Sequence, residues 1–229
     1  MSRKINIAID GLSGCGKSTL ARQLADKLGY IYIDTGAMYR AVTWWVLKNK
    51  ISPADSRAVI EALDSMNMEF NTLNGANVLY LNGQPLINEL IQPAITAQVS
   101  HIAIIPEVRK KLVALQQIMA RSKGVVMEGR DIGTVVMPNA ELKIFVVCSD
   151  LVRAKRRVQE LQNKNISSDI DQVLLNLKER DKIDSTRETG PLKQAEDAIL
   201  LDNSEFDREG QLKYVLNLVD KITCIHEAT

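Results

Sequence analysis

Apolar residues along the chain switch between two periods. Lys4-Ile5-Asn6-Ile7-Ala8-Ile9 alternates and is rich in isoleucine, which predicts a strand. After a glycine-rich stretch, Leu20, Ala21, Leu24, Ala25 and Leu28 fall at helical spacing, and Gly29 supplies a stop. Tyr30 to Ile33 reads as a second short strand and Ala37 to Leu47 as a second helix. Strand, loop, helix, strand, helix in the first 50 residues implies a parallel α/β sheet.

The middle of the chain changes period. Met68-Glu69-Phe70 and Val78-Leu79-Tyr80-Leu81 are short strand-like runs, and Asn74-Gly75 and Asn82-Gly83 sit at the turns between and after them. Asn-Gly pairs favour tight hairpins, so a small antiparallel insert is expected. Residues 94–122 read as helical, with Pro106 at a helix start. Gly124 to Met127 and Leu142 to Val147, the second interrupted only by Lys143, read as buried strands, because they are mostly apolar rather than alternating. Leu151 to Gln162 and Ile170 to Asp181 read as helices, Ala198 to Leu201 as a last strand and Leu212 to Ile222 as a closing helix. No repeat or low-complexity segment interrupts this series.

Composition narrows the function classes. In 229 residues there are 29 basic and 28 acidic side chains, a net charge of +1, and aromatics make up 4%. A nucleic-acid coat would want a basic excess, and a base-stacking platform would want more aromatics. The hydrophobic fraction of 45% is ample for a core. The five-residue run Ile144-Phe145-Val146-Val147-Cys148 is far short of the roughly 20 apolar residues that span a bilayer. The start carries no signal-peptide pattern, so a soluble, cytoplasmic protein is expected, with no membrane or nucleic-acid partner. Cys15, Cys148 and Cys224 are scattered, and His101 and His226 stand far apart, so neither a disulfide framework nor a His-based metal centre is expected.

Residues 11–18, Gly-Leu-Ser-Gly-Cys-Gly-Lys-Ser, match the G-x-x-x-x-G-K-[ST] pattern of a phosphate-binding loop. The loop lies between a predicted strand and an amphipathic helix, where the mechanism needs it. Gly11 and Gly16 let the backbone curl so that successive N–H groups face phosphate oxygens. Lys17 adds a point charge for the β and γ phosphates and packs against little. Ser18 offers a hydroxyl to Mg²⁺, and the helix directs its positive end at the same anion. Gly11, Leu12, Ser13, Gly14, Cys15, Gly16, Lys17, Ser18 and Thr19 are therefore the ATP-binding candidates. Cys15 reads either as a buried, inert thiol or as a thiol activated by the helix N-terminus.

Three further segments follow predicted elements. Asp34-Thr35-Gly36-Ala37-Met38-Tyr39-Arg40 follows the second strand, and Glu128-Gly129-Arg130-Asp131-Ile132-Gly133-Thr134 follows the third. Glu179-Arg180-Asp181-Lys182-Ile183-Asp184-Ser185-Thr186-Arg187 closes a later helix. Segments just past strand C-termini converge in a doubly wound sheet, which brings Arg40 and Arg130 toward the phosphate loop, and Arg187 with them if its helix docks there. A triphosphate facing a monophosphate carries about six negative charges. Guanidinium groups offset that charge and stay ionised at any relevant pH.

These motifs resemble bacterial cytidylate kinases, P-loop enzymes that phosphorylate CMP and dCMP, over essentially the whole chain. The resemblance rests on Ile9-Asp10-Gly11 through Ser18, on Asp34 through Arg40, on Gly129 through Thr134, and on Glu179-Arg180-Asp181 with Asp184, Ser185 and Arg187. It implies a five-stranded parallel sheet of the P-loop type flanked by helices, a small antiparallel β insert and a helical lid. Residues 1–34, 103–149 and 166–229 would form the core, 35–102 the monophosphate-binding part, and 150–165 the lid. The resemblance also implies that Thr35, Arg40, Arg130 and Arg187 hold the acceptor phosphate. Ser100, Arg109 and Asp131 would read cytosine, and Arg180 and Asp184 would face the sugar and its phosphate. Lys17, Arg130, Arg153, Arg157 and Arg187 would stabilise the transferred phosphoryl group, with Mg²⁺ accompanying ATP at Ser18. Thr35 keeps the hydroxyl that some members supply as Ser, and Glu128 stands where others carry Asp. From Leu151 to Lys164, the lid stretch carries Arg153, Lys155, Arg156, Arg157 and Lys164 against one acid, Glu160. A monomer is expected. The competing readings were a regulatory GTPase, for which Asn163-Lys164-Asn165-Ile166 lacks the guanine-reading pattern, and a P-loop kinase for another small acceptor such as shikimate or UMP.

Overall fold

The computed structural model describes residues 3–73, 76–163 and 166–225. The expected turn at Asn74-Gly75, the Lys164 end of the basic stretch, and His226 lie outside the described residues. Contacts divide the chain into two compact units, residues 33–119 and the rest.

The larger unit is built on a parallel sheet, in which β1 (Asn6–Gly11) is central. The strand order is β2 (Ile31–Asp34), β6 (Val125–Gly129), β1, β7 (Leu142–Val147), β8 (Ile199–Asp202). Every residue of β1 and β6 is buried, as expected for strands covered on both faces. Chain order reverses around β1, so the C-terminal ends of β1, β6 and β7 open a crevice.

Helix α1 (Lys17–Leu28) packs Leu20, Ala21, Leu24 and Ala25 onto this sheet, against Ile7, Ile9, Val126 and Ile144. It starts after Gly16 at φ 92° and stops at Gly29 at φ 63°, a left-handed cap whose N–H reaches the carbonyls of Ala25 and Asp26. Val215 and Val219 of α8 (Arg208–Ile225) join the same core. Helices α6 (Asp150–Gln162) and α7 (Ile170–Thr186) form an apolar seam of their own through Ala154, Val173 and Leu177.

The smaller unit starts inside β2. Helix α2 (Thr35–Lys48) is capped by Asp34, whose side chain accepts from the Ala37 N–H at 2.9 Å. Helix α3 (Ser56–Leu63) leads into an antiparallel sheet of β3 (Met68–Leu73), β4 (Ala76–Leu81) and β5 (Gln84–Leu86). Asn82 and Gly83 take φ values of 50° and 77°, so the β4–β5 hairpin turns on two left-handed residues, as Asn-Gly favours. The 94–122 helical stretch is two helices, α4 (Pro93–Ala103) and α5 (Pro106–Ala120). Expected with the sheet core, α5 instead packs Val108 and Leu112 with Met38, Val42, Leu79 and Leu81 of this unit. Apolar spacing locates the buried face of a helix but does not say which core will cover it.

Candidate functional site

At the end of β1 the chain must turn without a side chain. Gly11 has φ +145°, and a Cβ there would fall 2.0 Å from the Val146 carbonyl oxygen. The following residues form a loop whose backbone is held from outside. Ser13 donates its N–H to Asp181 Oδ1 at 3.1 Å, and its carbonyl accepts from Arg153 Nη1 at 3.0 Å. Arg153 also pairs with Asp181 and Asp150. The Cys15 carbonyl accepts from Asn203 Nδ2 at 2.7 Å, and Arg156 donates to the Asn203 carbonyl at 3.0 Å. Helices α6 and α7 and the end of β8 thus brace the loop. The Cys15 thiol is fully buried against the Leu12 carbonyl, in line with the first of its two readings.

Lys17 does not stand clear of the protein, as the sequence suggested. It is 5% exposed, and Nζ donates to the Leu12 carbonyl at 2.6 Å. Burial pulls its pKa below the ordinary lysine value, although Cys15 and Glu128 favour the charge.

Ser18 donates to Glu128 Oε2 at 2.9 Å, and the Tyr32 hydroxyl donates to Glu128 Oε1. With its proton on Glu128, the Ser18 oxygen keeps its lone pairs for a cation. A set of hydroxyl and carboxylate oxygens suits Mg²⁺, so these residues fit that ion.

Beyond β6, four charged side chains alternate in sign. Arg130 Nε donates to Asp184 Oδ2 at 2.7 Å. The other oxygen of Asp184 lies 3.6 Å from Arg187 Nη1, and Arg187 Nη2 reaches Asp131 Oδ1 at 3.4 Å. Arg187 is fixed further by donating Nε to the Gly190 carbonyl at 2.7 Å. The helix carrying Arg187 therefore does dock on this edge. Burial works against the Arg130 charge, but Asp184 outweighs it and pushes the guanidinium pKa up. Burial alone would raise the Asp184 pKa; Arg130 and Arg187 reverse that and hold it below the usual carboxylate range. Arg180, a turn earlier on α7, adds to the same field. Arg130 is near enough to Lys17 to disfavour its charge. Lys17 and Arg130 are thus neighbours within this unit.

In the smaller unit, Arg40 pairs with Asp34 at 2.7 Å, with a quarter of each side chain exposed. Thr35 and Ser100 are buried, at 4% and 8% exposure. Arg109 is 1% exposed, with its guanidinium over the Tyr39 ring, 5.7 Å from the centroid. Arg157 is half-buried on α6 and pairs with Glu160 at 2.8 Å.

Asn203, Arg156 and Asp181 were not singled out by sequence. Arg156 was only a member of a basic run and Asp181 only part of a motif. Asn203 carried one usable signal, its place just past the C-terminal end of a core strand.

The model of the family described as Cytidylate kinase matches residues 7–221. A cytidylate kinase of Caldicellulosiruptor bescii is 48% identical over 220 residues, covering 96% of this chain and 97% of that protein. A cytidylate kinase of Flavobacterium johnsoniae is 49% identical over 228 residues, covering 97% and 99%. Among solved structures, an uncharacterized protein from Eubacterium ventriosum superposes with a TM-score of 0.52 at 14% identity, covering 96% of this chain and 99% of that one. That likeness concerns the fold alone.

Proposed function

The chain belongs to the cytidylate kinase family, and on that premise we propose how its residues transfer the γ-phosphoryl group of ATP to CMP or dCMP, giving ADP with CDP or dCDP. The nucleophile is a phosphate oxygen of the acceptor, already ionised at neutral pH. No general base is required, and catalysis reduces to positioning and electrostatic stabilisation.

The loop from Gly11 to Thr19 holds the ATP phosphates through its backbone N–H groups, and Lys17 neutralises charge at the β and γ positions. Ser18, with Glu128 behind it, would hold Mg²⁺, which would supply positive charge against the phosphates. Arg130 and Arg187 take the acceptor phosphate; in the 33–119 unit Thr35 and Arg40 are the candidates for the same role. Arg180 and Asp184 face the sugar and its phosphate. Asp131 accepts from the 4-amino group of cytosine; in the 33–119 unit Ser100 and Arg109 are the candidates for base contact. Residues 150–165 act as the lid, bringing Arg157 to the transferred phosphoryl group and excluding water. A cytoplasmic monomer is part of this proposal. Among the described residues no helix is long and apolar enough to cross a membrane.

One observation carries this reading. The alternating Arg130–Asp184–Arg187–Asp131 chain offers two guanidinium groups for a phosphate beside a carboxylate for a base amino group. Its test is Asp131→Asn. A carboxylate accepts from the cytosine amino group and repels the uracil carbonyl oxygen, whereas an amide can donate to that oxygen. The variant should lower kcat/KM for CMP sharply and narrow the CMP to UMP ratio. An unchanged ratio removes Asp131 from base reading.

A further inference from the structure

Asp10 lies outside the ATP, acceptor and lid candidates, yet its side chain is buried and bonded at both oxygens. It is 5% exposed and lies at the end of the central strand, opposite Gly129 of β6 and Phe145 of β7. Its two carboxylate oxygens are each taken by a backbone amide 122 and 123 residues away. Ile132 N–H donates to Oδ1 at 2.8 Å, and Gly133 N–H donates to Oδ2 at 2.7 Å.

Those amides open the π-helical turn Ile132–Val136. The Asp131 carbonyl sits inside that turn, accepting from Val135 N–H at 2.9 Å and Val136 N–H at 3.2 Å. Asp131 is therefore gripped on both sides. Its carbonyl is tied to the turn, and the peptide N–H that follows it is tied to Asp10. The root of Asp10 is equally fixed, because the next residue is Gly11, crowded by the Val146 carbonyl. One side chain thus links the start of the phosphate loop to the segment carrying Arg130 and Asp131.

A neutral side chain would meet a simple packing need at lower desolvation cost. Burial pushes the Asp10 carboxyl pKa up to about 6, with the Asp131 charge adding to the rise and the two amides working against it. What a carboxylate provides here, and an amide cannot, is two equivalent acceptors at a fixed spacing for two consecutive N–H groups.

We propose that Asp10 is a positioning residue for acceptor recognition, setting the register of Arg130 and Asp131 against the phosphate loop. The proposal rests on the reading of Asp131 as the base-reading carboxylate. It predicts a selective defect. Asparagine at this position accepts from one amide only and turns its NH₂ toward the other donor, so the 130–133 segment shifts. Displacements of about 1 Å in such sites cost up to about 100-fold.

The experiment is steady-state kinetics of Asp10→Asn with CMP and UMP as acceptors and ATP varied separately. The expected result is a KM for CMP raised roughly tenfold or more and a narrowed CMP to UMP ratio, with KM for ATP within about twofold of wild type. Equal changes in KM for CMP and ATP, or wild-type kinetics, overturn the proposal, since a purely supporting carboxylate would not separate the two substrates. Asp131→Asn run in parallel separates the two readings. If that variant keeps the wild-type CMP to UMP ratio, base reading by Asp131 falls, and Asp10 stands or falls on the KM split alone. Should Asp10→Asn fail to fold by circular dichroism, Asp10→Glu keeps charge and both oxygens on a longer arm. A folded Asp10→Glu with wild-type KM for CMP and wild-type CMP to UMP ratio also overturns the proposal.

Discussion

Arg153 Nη1 donates to the Ser13 carbonyl oxygen at 3.0 Å, so an arginine expected to close over nucleotide braces the phosphate loop in this structure. At 2% exposure, with Asp150 and Asp181 as further partners, it is part of the loop's scaffold. Arg157, four residues on, is half-buried and spends its charge on an exposed partner, Glu160.

The two arginines should therefore separate on mutation. Arg153→Ala removes the donor to Asp181 Oδ2 and to the Ser13 carbonyl, and should lower stability by about 2 kcal/mol as well as raising KM for ATP. Arg157→Ala should leave the melting temperature close to wild type and reduce turnover much more than CMP binding. Thermal melts with steady-state kinetics on both variants check this. Matching behaviour of the two would contradict it.

Lys17 calls for a substitution that respects its burial. Lys17→Met retains an unbranched, apolar side chain of similar length and removes the charge. It should lower kcat by at least about 100-fold while circular dichroism stays that of wild type. Wild-type turnover in a folded variant would sink the phosphate-loop reading.

Asp184 gives a pH dependence whose sign is set by its partners. Its folded pKa lies below the ordinary 3.8, so its contribution is present above that value and is lost as pH falls through the folded pKa. Asp184→Asn leaves the Arg130 charge, one-fifth exposed, without its carboxylate, which should cost about 3 kcal/mol near neutral pH. That deficit should shrink once the wild-type carboxyl is protonated. Urea melts of both proteins at neutral and at strongly acid pH test this, and a deficit independent of pH contradicts it.

The parts of this molecule that local chemistry specifies were legible in the sequence. The phosphate loop, the Gly29 stop and the Asn82-Gly83 turn each depend on neighbours within a few residues. The sheet strands were legible too, because continuous apolar runs in an α/β order have few other places to go. Helix α3 was missed: only Val59 and Leu63 are buried in its eight residues, too short a stripe to show a period. Strand β5 has three residues and exists because the Asn82-Gly83 turn folds it onto β4. The bonds from Asp10 to Ile132 and Gly133, and from Asn203 to Cys15, span more than a hundred residues. No local pattern encodes such pairings, and only the assembled sheet shows them. Arg153 is a candidate only through the resemblance of its basic stretch to the family's lid. Its partners, and hence its bracing of the loop, depend on how α6 docks.

The most direct test of the functional account is an acceptor panel on the purified protein, following ADP release with ATP and Mg²⁺ and repeating the series with GTP as donor. A site built to pair with cytosine rejects a mismatched edge because buried polar groups are left unpaired. The account predicts kcat/KM for CMP and dCMP at least about 100-fold above that for UMP, with no turnover of shikimate and ADP release that depends on the acceptor. UMP or shikimate used as well as CMP, or nucleotide hydrolysis that favours GTP and ignores the acceptor, would contradict it.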